Sequence, residues 1–82
     1  MIRDVPASEW KNVPVDGRRL RARRAEIGLS QERLAEKANV GLTTVRRLET
    51  IPEPACRSWT IGLLATALDI QPALLTRVSS AS

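Results

Sequence analysis

From Gly17 onward the apolar residues recur at helical spacing in short runs separated by Gly, Asn, Pro or polar residues, a pattern that predicts five helices. A first helix is expected from Gly17, with Asp16 as its N-cap and Gly28 as a left-handed stop. Its inner stripe, Leu20 and Ile27, is narrow, and Arg24 falls on it. An unpaired charge there would cost several kcal/mol, so Arg24 needs a buried anionic partner. Ser30 is expected to cap a second helix, with Gln31 and Glu32 in its first turn, Leu34, Ala35 and Ala38 inside, and Asn39 as a left-handed terminator. After a turn of about three residues, a third helix runs from about Leu42 to Thr50. Val45 and Leu48 point inward, which leaves Thr43, Arg46, Arg47 and part of Leu42 outside.

Pro52 and Pro54 break "TIPEPACR" into a loop, and Ser58 is expected to cap a fourth helix whose Ile61, Leu64, Ala65 and Leu68 form the inner face. Pro72 opens a last short helix, "PALLTRV". Residues 1–16 hold two Pro and no sustained period, so they read as an N-terminal arm. Trp10 and the nearby Val residues of that arm are expected to pack on the domain or on a second subunit. Residues 17–77 form the predicted domain, and 78–82 read as a disordered tail. The expected fold class is thus all-α: a compact five-helix bundle containing a helix pair with a tight turn, preceded by an arm.

Composition narrows the functions. At 82 residues the chain holds one domain, and with no Phe or Tyr its core must be built from Leu, Ile, Val and Ala. It has no His and a single Cys, Cys56, so neither a metal site nor an internal disulfide is expected, and a reducing cytoplasmic setting fits. No apolar run is long enough to cross a bilayer, and the apolar stripe of helix one is too narrow to insert in a membrane surface. Without His or a Gly-rich phosphate loop, no enzyme activity and no cofactor are expected. The net charge is +4, but residues 17 to 49 alone carry nine cations against four acids, a local +5. Eight of those nine are Arg, the side chain that pairs bidentately with phosphate or a guanine edge, which points to a polyanionic partner.

The segments "LRARRAEIGLSQERLAEKANVGLTTVRRLE" and "LLATALDIQPALL" resemble the lambda-repressor-like (Xre/Cro type) helix-turn-helix DNA-binding family over roughly residues 17 to 76. The resemblance implies a bundle of five helices that binds double-stranded DNA. It implies a buried ion pair between Arg24 and Glu49, which supplies the partner that Arg24 requires. It assigns Leu42, Thr43 and Arg47 to base reading, Arg46 to the rim where bases and phosphates both lie, and Gln31 and Thr44 to phosphate. Helix one passes near the DNA backbone, so Arg18 and Arg19 are implied phosphate contacts. In chemical terms Arg47 offers two donors to guanine O6 and N7, while Leu42 and Thr43 offer apolar contact to a thymine methyl, so a half-site with G near T is expected. Two features depart from the family: "TIPEP" stands where a polar residue and Gly are common, and the arm has no counterpart.

The resulting expectation is a sequence-specific transcriptional regulator, most simply a repressor that binds a palindromic operator as a homodimer. The competing expectation is an antitoxin or protein-interaction module that grips a partner protein through the N-terminal arm and uses DNA binding for autoregulation.

Overall fold

The computed structural model describes residues 13–77; the expectations for residues 1–12, Trp10 among them, and for 78–82 lie outside the described residues. In chain order the elements are β1 (Val13–Pro14), α1 (Gly17–Glu26), α2 (Gln31–Ala38), α3 (Leu42–Thr50), β2 (Ala55–Cys56), α4 (Ser58–Leu68) and a single 3-10 turn (Pro72–Leu75).

The helix boundaries follow local chemistry. Asp16 caps α1, its Oδ1 accepting from the backbone N–H groups of Arg18 and Arg19 at 3.1 Å each. Gly28 closes the helix with φ +75°, a conformation that costs glycine nothing. Ser30 Oγ accepts from the Arg33 N–H at 3.0 Å and so starts α2, which ends at Asn39 in the left-handed region with φ 61°. Only two residues, Val40 and Gly41, then separate Asn39 from α3. Asp69, φ 58°, ends α4 by the same left-handed device.

Among the described residues there are four α-helices where five helices were expected. The segment opened by Pro72 closes only one 3-10 turn, with the Thr76 N–H bonded back to Ala73. Ser58 is the first residue of α4 and Arg57 occupies the cap position without a side-chain bond, because Cys56 is held extended in β2 immediately before it. The fold also contains a small antiparallel sheet that periodicity does not reveal. Val13 pairs with Cys56 and Pro14 with Ala55, from segments read as arm and loop. Residues 13–16 are then fastened on both sides: Val15 N–H donates to Pro54 O at 2.9 Å, Asp16 N–H to Leu75 O at 2.7 Å, and Arg77 N–H to Pro14 O at 3.0 Å. Val15 is wholly buried, so the folded unit includes part of the expected arm.

Leu20, Leu34, Val45, Leu48, Leu64, Leu68, Leu75 and Val15 form the fully buried centre, joined by Ala35, Ala38, Ala65, Ala67, Cys56 and Ile61. The alanines let α2 and α4 approach closely. Ile27 was expected on the inner stripe of α1, but it is 37% exposed. It lies one residue past the last turn, and Leu29 packs on the core in its neighbourhood. No helix among the described residues is long and apolar enough to cross a membrane.

Candidate nucleic-acid interface

Helices α2 and α3 form a helix-turn-helix pair. With about 100° of rotation per residue, burying Val45 and Leu48 turns Thr43, Arg46, Arg47 and Thr50 to the opposite side of α3. All four are exposed. Leu42 and Thr44 are half-buried at the flanks of the helix start, and Leu42 leans on the core. Over nine residues α3 is about 13 Å long, comparable to the width of a B-DNA major groove, about 12 Å.

The helix pair is set on a polar knot built around one nearly inaccessible carboxylate. Glu49, at the end of α3, has a side chain only 2% exposed and accepts three hydrogen bonds. Arg24 Nε donates to Oε2 at 2.7 Å, Arg24 Nη2 to Oε1 at 2.9 Å, and Gln31 Nε2 to Oε1 at 3.0 Å. Arg24 Nη1 donates in turn to Leu29 O at 2.8 Å, which pins the loop ahead of α2. The hydrogen bond to Glu49 raises the Arg24 guanidinium above its ordinary pKa, while burial opposes the rise. This is the fork-on-carboxylate geometry that makes Arg suited to a buried pair. Because Arg24 lies on α1, Gln31 on α2 and Glu49 on α3, one carboxylate fixes the mutual placement of three helices.

Gln31 therefore has a structural partner that no sequence spacing signals. One amide hydrogen is committed to Glu49, and the second remains at the N-terminus of α2, where free backbone amides favour an anion. Arg18 and Arg19 are exposed on the first turn of α1, with Arg19 Nε 3.5 Å from Asp16 Oδ2. Arg23 is used by the fold: its Nε donates to Leu68 O at 2.9 Å and its Nη1 to Glu26 Oε1 at 3.0 Å. Arg46 Nη2 lies 3.6 Å from Glu32 Oε2 on α2, a cross-link that the sequence reading lacks. In β2, burial pushes the Cys56 thiol up to about 11, with the charge of Arg47 acting in the other direction.

The sequence model of the helix-turn-helix domain matches residues 17–78. No curated protein matches the chain. Among solved structures, the crystal structure of the restriction-modification controller protein C.AhdI from Aeromonas hydrophila is similar, with a TM-score of 0.59 and 37% sequence identity. The likeness covers 71% of this chain and 86% of that one. With this match over most of its length, and with α2 and α3 arranged as described, the chain belongs to the helix-turn-helix family of DNA-binding transcriptional regulators.

Proposed function

We propose that this regulator is a repressor that binds a palindromic operator as a homodimer. The observation that carries the reading is the single outward face of α3, where Thr43, Arg46 and Arg47 stand exposed on a helix that the Arg24–Glu49–Gln31 knot ties to α1 and α2. In this reading α3 enters the major groove. Arg47 pairs with guanine O6 and N7, Thr43 and the exposed part of Leu42 meet a thymine methyl, and Arg46 lies at the groove rim. Gln31, through its second amide hydrogen, contacts phosphate together with Thr44, Arg18 and Arg19. One helix of this length reads too few base pairs for useful specificity, which is the reason for two copies. Trp59 and Leu63, 57% and 42% exposed on the outer side of α4, are an apolar surface suited to the second copy. The 37% identity to a restriction-modification controller protein supports a regulatory role.

Selection from a pool of randomised duplexes at physiological salt tests the proposal. An enriched inverted repeat with half-sites about one helical turn apart is expected. Substitution Arg47→Ala is expected to cost about 1 to 3 kcal/mol on that repeat and to relax the preference for G at one position of each half-site. Binding that merely weakens with salt, with no enriched motif, would leave only the electrostatic term. A protein co-purifying in fixed ratio would then favour the interaction-module reading.

A further inference from the structure

Two cross-links join α2 to α3. One is the part-buried bond from Gln31 to Glu49; the other, between Arg46 and Glu32, is exposed, with side chains 56% and 63% accessible. Glu32 stands in the first turn of α2 beside Gln31. An acid suits the positive end of a helix dipole in the free protein. It does not suit a phosphate brought to the same helix end, since the two charges repel. The chain thus keeps one carboxylate at the edge of a cationic face, within 3.6 Å of one of the outward cations.

We propose that Glu32 is a positioning residue that sets specificity: it neutralises Arg46 and holds it against α2, so that Arg46 does not clamp phosphate indiscriminately. Arg46 is released where a base edge takes the place of the carboxylate. The inference deepens the reading of α3 as the base-reading helix and rests on it. An exposed pair is weak enough to exchange partners when DNA arrives. Its effect is therefore on which DNA is bound, and the fold does not depend on it.

Counterion release makes the consequence measurable. Freed from Glu32, Arg46 adds one phosphate contact, which steepens the dependence of log K on log salt by about 0.9. At about 0.15 M salt that corresponds to roughly fivefold tighter binding to DNA of any sequence. On the operator, where Arg46 already faces a base edge, the gain is smaller and the ratio of specific to random binding falls.

The experiment titrates a random-sequence duplex and the duplex enriched by selection, each at several salt concentrations, with wild type, Glu32→Gln, Arg46→Ala and the double variant. Both side chains are more than half exposed, so these variants keep the core, and circular dichroism checks that they do. Glu32→Gln is expected to steepen the slope on the random duplex by about 0.9 and to lower the specificity ratio. In the Arg46→Ala background the same substitution is expected to relieve only the direct repulsion of phosphate by Glu32 and to leave the slope unchanged, because the added contact passes through Arg46. An unchanged slope or ratio overturns the proposal, and so does a steepening that persists without Arg46, which would be bulk charge alone. An enriched motif with an unchanged slope overturns the role of Glu32 only, whereas absence of any enriched motif overturns the reading of α3 itself.

Discussion

Among the described residues Arg24 and Glu49 form the least exposed ion pair, since the Glu49 side chain is 2% accessible and that of Arg24 15%. Removing one leaves the other with no countercharge and little water, so Arg24→Ala and Glu49→Ala are each expected to lose about 3 to 5 kcal/mol in urea unfolding, the larger loss falling on Arg24→Ala, which strands the more deeply buried carboxylate. The pair as a whole is less valuable than either loss suggests. The double variant Arg24→Met with Glu49→Leu should recover more than half of the single-variant loss, since desolvation of both charges disappears with them. Cys56 gives a pH dependence of definite sign. Its thiol sits at about 11 in the folded chain against an ordinary 9.0, so the unfolded chain releases its proton first. The stability it contributes is complete below pH 9 and is lost as pH rises toward 11, up to about 2 to 3 kcal/mol. With no Tyr and no His, few other groups titrate in that window. Urea midpoints measured from pH 8 to 11 should fall in the wild type and fall less in Cys56→Ala.

At the scale of elements, two glycines show that the same substitution has opposite signs in different surroundings. A Cβ on Gly17 would meet the Leu48 carbonyl oxygen, where α1 crosses α3 in close contact. Gly62 lies inside α4 with nothing within 4 Å of where its Cβ would be. Gly17→Ala is therefore expected to destabilise by about 1 to 3 kcal/mol, and Gly62→Ala to stabilise by about 0.5 to 1 kcal/mol, both read from thermal melts. The helices were legible because their signals are local: Asp16 and Ser30 bond within three residues, and the left-handed conformation is open to Gly28, which lacks a Cβ, and tolerated by Asn39. The sheet was not legible. Two residues per strand give alternation no room to register, and Pro52 and Pro54 read correctly as breakers while concealing the pairing just beyond them.

For the whole molecule, residues 13–16 act as a fastener between β2 and the 3-10 turn. A chain that starts at Gly17 loses Val15 from the core, the Asp16 cap and the three backbone bonds that flank them. Such a truncation should melt far below the full chain, since burial of Val15 alone is worth about 1.5 to 3 kcal/mol. A chain starting at Val13 keeps all of these contacts, and comparing the two melts isolates their contribution. The sequence by itself determined what is decided within a turn or two of chain: the extents of α1, α2 and α3, the caps of α1 and α2, the inner faces of α2 and α3, and an outward Thr43, Arg46 and Arg47. Resemblance extended this to Arg24 with Glu49. Only the tertiary structure decided that Gln31 joins that pair, that Glu32 reaches Arg46, and that Val13 and Pro14 meet residues more than forty positions away. The physical reason is that contacts between distant residues depend on how helices cross and loops close, and no periodicity along the chain encodes those angles.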